Sequence, residues 1–422
     1  MSNNNLVEMG YIPREIEAKI DQLLKLPQII ALVGPRRSGK TTLLLRLKEK
    51  LTQEGKKVVY LSFEDQEVLS LFVNDIKNFA RLYLAGNQFL LLDEFHYAKN
   101  GGRQLKFLFD FYPKKKIIVS SSSSTELAIR ALQYLVGRAL TVTLYPFSFA
   151  EFLRAKDKQL FTIWQREKGK KLVNSPLFSR LNALLEEYLL FGGYPEIVLT
   201  PQKEIKQELL TNIVNLLFLR EVKDFLSFAN TLKLQKLIKA LSLQIGNLVN
   251  LNELSQVTQL DFKTLKRYLA FLEKTFIIRR VGPFFSNKRK ELVKASKIYF
   301  LDPGLRNAVI GQFSYLNNRT DVGPLLENGV FVFLRQQQVK FWRTKNKTEV
   351  DFVLEKNGQI IPLEIKAGGA GQKIPRPLRS FLETYQPKMG FVVSLTPQWQ
   401  EKMVAKSRVS FVPLALLPKS LA

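Results

Sequence analysis

Cysteine is absent from the 422 residues, which excludes disulfides, thiolate zinc sites and thiol catalysis. Histidine occurs once, as His96, so no histidine-based metal cluster can be built. No uninterrupted apolar run approaches the roughly 18 residues of a membrane span. Met1-Ser2-Asn3-Asn4-Asn5 has neither the charge nor the apolar core of a leader. A soluble, cytoplasmic protein with no membrane partner is therefore expected. Acidic residues are scarce: 37 Asp and Glu stand against 64 Lys and Arg, leaving a formal charge of +27. That bias calls for a polyanionic partner such as DNA or RNA, or for an anionic surface, unless it reflects general basic composition. The apolar fraction of 46% is ample for packed interiors, and the length exceeds what one core serves, so roughly two to four domains are expected.

One stretch carries specific chemistry. Gly34-Pro35-Arg36-Arg37-Ser38-Gly39-Lys40-Thr41-Thr42 fits G-x-x-x-x-G-K-[ST]. It follows the apolar run Ile29 to Val33 and precedes Leu43-Leu44-Leu45-Arg46-Leu47, so it sits where a buried strand turns into a helix. Gly34 and Gly39 let the backbone wrap closely enough for its N–H groups to face a polyphosphate, with the dipole of the new helix beneath. Lys40 would reach the β- and γ-phosphates of ATP, and the Thr41 hydroxyl would ligate Mg²⁺. The alternative is a glycine-rich turn capping an ordinary helix.

Downstream, Phe89-Leu90-Leu91-Leu92 carries Asp93 and Glu94 to the end of a buried strand, where open α/β sheets bind ligands. Asp93 would hold Mg²⁺ through water, and Glu94 would orient and deprotonate the attacking water. Lys116 to Val119 reads as a further strand ending in Ser120 to Ser124. In ATPases with a second acid after the magnesium aspartate, the strand with the polar sensor lies between the P-loop strand and the acidic strand. Ser121 or Ser122 could thus contact the γ-phosphate or the water; a serine-rich helix cap would use the same letters. Val58 to Phe63 and Ala139 to Leu144 complete a parallel sheet, and Tyr11 to Leu26 reads as an amphipathic helix beside it.

Residues 154–180 are polar, basic and interrupted by Gly169 and Pro176, and a helix from Leu181 leads into Phe191-Gly192-Gly193-Tyr194-Pro195. Leu251 to Val257 and Phe262 to Leu272 have helix-turn-helix spacing, with Phe276 to Val281 and Ser296 to Phe300 as a wing. Lys263, Lys266, Arg267, Lys274, Arg279, Arg280, Lys288, Arg289, Lys290, Lys294 and Lys297 suit phosphate contacts; a solvated face or an adaptor domain would look the same. Glu327 lies on an expected helix from Gly323 to Arg335. Three strands follow, the last two joined by a four-residue turn, Glu355 to Gly358. Alternation puts Glu364 and Lys366 on one face, with Asp351 across the hairpin. Such carboxylates with an ammonium make a Mg²⁺ site, although a hairpin salt bridge needs the same residues.

The P-loop, Leu92-Asp93-Glu94, the serine turn, Gly137-Arg138 and Tyr145-Pro146-Phe147-Ser148-Phe149-x-Glu151-Phe152 together resemble the archaeal and bacterial AAA-type ATPases that border the STAND class. The resemblance covers nearly the whole chain and implies an ATP-hydrolysing enzyme with an α/β fold. Its expected parts are a parallel-sheet core at 1–152, a helical lid at 153–230, a winged helix at 231–302 and a PD-(D/E)XK nuclease-like domain at 303–422. It gives Pro195 the role of lying against adenine, where helix-stop chemistry is the alternative. Arg138 becomes a nucleotide sensor or arginine finger, unless it forms a surface salt bridge. Lys297-Ile298-Tyr299-Phe300-Leu301-Asp302-Pro303 resembles the segment that follows the winged helix in this family. The nuclease-like pattern places Glu327, Asp351 and Glu364 as metal ligands and Lys366 as the catalytic cation of a Mg²⁺-dependent deoxyribonuclease. A slow-hydrolysing regulatory switch is the competing function, and a homo-oligomer is compatible with the sequence.

Overall fold

A computed structural model describes residues 10–121, 135–216, 231–285, 295–368 and 373–421. The chain divides into one unit of Met1–Phe147 with Lys274–Phe276, and a second of Ser148–Glu273 with Ile277–Ala422.

In the first unit, β1 (Ile29–Val33), β2 (Val58–Ser62), β3 (Phe89–Asp93), β4 (Lys116–Ser121) and β5 (Ala139–Thr143) form a five-stranded sheet in the order β2-β3-β4-β1-β5. Every neighbouring pair is parallel. Parallel sheets bury both faces, and the alternation of each strand shows it. Ile29, Ala31, Leu90, Leu92, Ile117 and Val119 pack with Phe63, Phe72 and Phe79 on one face. Ile30, Leu32, Leu91, Ile118 and Val142 meet Leu43, Leu44 and Leu47 on the other. The result is a helix–sheet–helix sandwich with β4 between the P-loop strand and the acidic strand, the order expected from the sequence. The N-terminal helix is shorter than expected, Glu17–Leu24. Lys116 finishes it by donating to the carbonyls of Leu23, Leu26 and Gln28 at 2.8, 2.7 and 2.5 Å, and burial pushes this ammonium down to about 8.

The second unit starts at a capping box. Ser148 Oγ accepts from Glu151 N at 3.2 Å, and Glu151 Oε2 accepts from Ser148 N at 2.8 Å, which opens the helix Phe149–Lys156. This reciprocal pair accounts for the Ser148-x-x-Glu151 spacing. Further on, Asn250 caps Leu251–Thr258, Gln259 turns the chain in the left-handed region, and Phe262–Lys274 follows. The strands β6 (Ile278–Val281) and β7 (Lys297–Phe300) pair antiparallel. These elements share one core with the preceding helices, running from Leu190 through Leu237, Leu269 and Ile298 to Leu305.

The C-terminal part is a mixed six-stranded sheet, β12-β13-β11-β10-β9-β8, built from β8 (Val339–Arg343), β9 (Glu349–Lys356), β10 (Gln359–Lys366), β11 (Met389–Ser394), β12 (Gln400–Val404) and β13 (Ser407–Pro413). The β9–β10 turn is tighter than the expected four residues, because Lys356 pairs with Gln359. Only Asn357 and Gly358 lie between them, at φ 51° and 72°. Asn-Gly suits a two-residue hairpin with both residues left-handed, so the strands run on to its edge.

Gly192 closes the helix Leu177–Phe191 at φ 76°, and Pro195 is the first residue of Pro195–Leu199. The buried Asp302 accepts from Gly193 N at 2.8 Å and from Leu305 N at 3.0 Å. A Cβ on Gly192 would lie 2.0 Å from Asp302 Oδ1. Gly192→Ala should therefore cost about 1–3 kcal/mol, combining left-handed strain with overpacking. Urea denaturation checks this; unchanged stability would show that the Asp302 contact is dispensable.

Candidate functional site

The P-loop is shaped by two glycines with different reasons. Gly39 stands at φ 94° as the first cap of the helix Lys40–Gln53, a conformation that L side chains avoid. Gly34 is required by crowding, since a Cβ there would lie 2.1 Å from the Leu144 carbonyl oxygen. Between them Arg37 also takes a left-handed turn, at φ 60°. Lys40 is buried and its ammonium donates to the Gly34 and Pro35 carbonyls at 3.1 and 2.8 Å. Its charge is thereby held over the loop that a polyphosphate would occupy.

Opposite the loop, Asp93 ends β3 and gathers four donors. Thr41 Oγ1 and Tyr60 OH donate to Oδ2 at 2.7 and 2.8 Å, Glu94 N donates to Oδ1 at 3.0 Å, and the Ser120 hydroxyl also donates to Oδ1. Burial, followed by the charge and hydrogen bond of Asp93, pushes the Tyr60 phenol well above its usual range. The Thr41 hydroxyl and Asp93 carboxylate are hard oxygen donors brought together, a set that suits Mg²⁺. Glu94 follows at φ 52°, and His96 Nδ1 lies 3.0 Å from its Oε2. Burial would raise the Glu94 carboxyl, but the His96 bond and charge, with Lys40 and Arg36, outweigh it and hold the group below the ordinary carboxylate range.

Three residues of this site are not legible in the sequence. Tyr60 comes from β2, where it pairs in register with Leu91. Ser120, one residue before the expected sensor, contacts Asp93. Arg14 donates to the Ser38 carbonyl at 2.9 Å and to the Tyr145 carbonyl at 2.7 Å, with its guanidinium over the Phe147 ring. It thus fastens the P-loop backbone to the chain that follows β5. Ser121, expected as the sensor, lies beside Val33 at the end of β4, and Ser122 lies outside the described residues. Arg138 pairs with Asp110 at 2.8 Å, both half-exposed, a contact of the surface salt-bridge kind.

A second cluster lies in the second unit. Asp351 Oδ2 accepts from Ile365 N at 2.7 Å, and Lys366 Nζ lies 2.7 Å from Glu364 Oε1. Burial first, then the charges of Glu327 and Glu364, push the Asp351 carboxyl well up. Lys297, which the sequence places on a phosphate-binding face, is instead buried here. Its Nζ is 3.0 Å from Glu327 Oε1 and 2.5 Å from Glu349 Oε1. A run of lysines reads as solvated because burial depends on strand neighbours that the sequence does not name. Among the other basic positions, Lys263, Lys266 and Arg267 are exposed on Phe262–Lys274. Arg280 pairs with Glu273, the Arg279 guanidinium bonds the Arg335 carbonyl, and Lys288, Arg289, Lys290 and Lys294 lie outside the described residues, as does Phe218 to Asp224, where the resemblance implies a further helix. Among the described residues, no helix is long and apolar enough to cross a membrane.

Comparison with known proteins gives three consecutive matches. Residues 26–153 match the family described as an AAA domain, residues 182–316 a domain of unknown function (DUF8612), and residues 322–417 a domain of unknown function (DUF4143). An uncharacterized protein of Haemophilus influenzae is 26% identical over 86% of this chain and 88% of its own length. The uncharacterized protein MJ1544 of Methanocaldococcus jannaschii is 26% identical over 81% of this chain and 75% of its own. Among solved structures, AMPPCP-bound DnaA from Aquifex aeolicus is 19% identical with a TM-score of 0.30, covering 63% of this chain and 90% of that one. The replication initiator DnaA bound to AMPPCP and single-stranded DNA is 17% identical with a TM-score of 0.30, over 62% and 90%. The loop, the acid pair and the central β4 all lie within residues 26–153, the stretch that matches the AAA domain, and the match supports an ATP-binding P-loop there.

Proposed function

We propose that this protein hydrolyses ATP with Mg²⁺ at the loop 34–42 and couples turnover to nucleic acid. The observation that carries the first half is the convergence of Thr41, Tyr60 and Ser120 on Asp93 with Glu94 next in sequence. Lys40 binds the β- and γ-phosphates, and the backbone from Gly34 to Thr42 cradles them. Thr41 and Asp93 would hold Mg²⁺, which when bound would supply charge neutralisation of the phosphates. Glu94 orients the attacking water and accepts its proton. Phosphate release measured in Mg²⁺ and in EDTA, with and without DNA, tests both halves.

The coupling half rests on Phe262–Lys274. Leu265, Tyr268, Leu269 and Leu272 bury one face, while Lys263, Lys266 and Arg267 project from the exposed positions between them. Such a face suits phosphate contacts with little base reading. Replacing Lys263, Lys266 and Arg267 together with glutamine should weaken DNA binding. The slope of log affinity against log salt should fall by about 0.9 for each duplex phosphate that the variant no longer neutralises. A salt-insensitive wild-type affinity, or an unchanged slope in the variant, would remove this face from the account.

A regulatory switch with slow hydrolysis is the second reading, favoured by the contact of Glu94 with His96. A base engaged by a neighbouring imidazole must be released before it can take a proton from water. One tightly retained nucleotide with negligible turnover supports the switch; steady turnover stimulated by DNA supports the enzyme.

A further inference from the structure

The acids Glu327, Asp351 and Glu364 with Lys366 occupy positions at which a nuclease of this pattern would bind Mg²⁺, but their surroundings do not suit that ion. Lys297 enters from β7 and is 2% exposed, with its ammonium between Glu327 and Glu349. Tyr299, two residues along the same strand, is fully buried and donates to the same Glu327 oxygen at 2.5 Å. Glu349 is further occupied by Arg343 at 2.7 Å. Among the described residues, no three acidic or histidine side chains converge on a point that could hold a metal. Glu364 Oε2 is buried without a hydrogen-bond partner, a feature that a cation would satisfy. An ammonium already beside these carboxylates opposes a second cation through like-charge repulsion.

We infer that the cation of this cluster is the chain's own Lys297, so that the site is a lysine-filled ion lock rather than a metal centre for cutting phosphodiesters. The lock has a definite anchorage. Phe300 N donates to Asn328 Oδ1 at 2.8 Å and Asn328 Nδ2 returns to the Phe300 carbonyl at 3.1 Å. The Tyr299 ring packs on Phe331 and Phe352. Residues 297–300 are therefore bound to the helix Val322–Leu334 and to β9 by charge, hydrogen bonds and ring contact together. The consequence is a C-terminal sheet that secures the segment carrying the exposed basic helix, with no nucleolytic step of its own.

The test uses nucleotide-free full-length protein, so it does not depend on the ATPase reading. Mn²⁺ uptake is followed by the paramagnetic resonance signal of the free ion, and melting is compared in EDTA and Mg²⁺. Wild-type protein should take up no Mn²⁺ that Asp351→Asn removes, and the change in its melting temperature between the two buffers should be no larger than that of Asp351→Asn. Ion uptake shared equally by wild type and Asp351→Asn belongs to another site and agrees with the inference. Lys297→Met should lower the melting temperature by roughly 5–15 °C, because it strands two half-buried carboxylates beside the buried Tyr299. Wild-type Mn²⁺ binding or Mg²⁺-dependent nicking of supercoiled DNA that Asp351→Asn abolishes would overturn the inference. So would a Lys297→Met protein that melts with the wild type. If that variant does not fold, the wild-type and Asp351→Asn titrations still decide.

Discussion

Lys40→Ala loses nucleotide binding. The Lys40 ammonium is buried against the Gly34 and Pro35 carbonyls, so it meets a phosphate in a place where water screens little. Truncating one partner of a buried charge pair costs about 2–5 kcal/mol, which is roughly 30- to 5,000-fold in affinity. Titration of a fluorescent ATP analogue should show a loss in that range, with circular dichroism unchanged. Binding within a few-fold of wild type would mean that the loop does not grip the triphosphate.

Glu94→Gln has the opposite signature: binding persists and turnover stops. Glutamine keeps the shape of the side chain but cannot take a proton from water. Removing a positioned general base lowers kcat by about 10²–10⁴-fold. Asp93 and its partners Thr41, Tyr60 and Ser120 are untouched by the change, so affinity for Mg·ATP should stay within a few-fold. A normal kcat in this variant would take Glu94 out of the chemistry and leave His96, 3.0 Å from it, with only a structural contact.

The contrast between these residues and the ones the sequence does not reveal has a physical origin. The P-loop is legible because its work is local: a strand, a turn with two glycines and a helix start follow one another without a break from Ile29 to Thr42. The placement of β4 between β3 and β1 is legible through the acid pair, because ATPases with a second acid after the magnesium aspartate carry the sensor strand there. Tyr60 and Ser120 are different, because each reaches Asp93 from a neighbouring strand. Adjacent serines such as Ser120 and Ser121 point to opposite sides, so the letters alone do not say which meets the acid. Arg14 lies farther beyond local reach, as it bonds a carbonyl 131 residues away. Lys297 shows the converse error: charge in a basic stretch suggests solvent, whereas β7 is buried along its whole length.

The family resemblance points the Gly192-Gly193-Tyr194-Pro195 stretch toward a nucleotide, whereas the residues themselves spell helix-stop chemistry, and the local geometry follows from that chemistry. Asp302 holds the Gly193 amide, and Gly192 has no room for a side chain. Pro195 supplies the fixed φ suited to a first helical turn. Similarly, the polar Glu355 and Lys356 make the β9–β10 turn look two residues wider than it is, yet Lys356 completes the ladder with Gln359. Polar strand edges and turns share a composition, and only the Asn-Gly pair marks the true corner.

The most direct measurement is a single turnover with protein in excess over ATP labelled at the γ-phosphate, started with Mg²⁺ and quenched over time. Retention of the label and its conversion to free phosphate by wild type, retention without conversion by Glu94→Gln, and neither by Lys40→Ala is the predicted result. Wild-type protein that retains no ATP, or Glu94→Gln protein that cleaves it at the wild-type rate, would contradict the account.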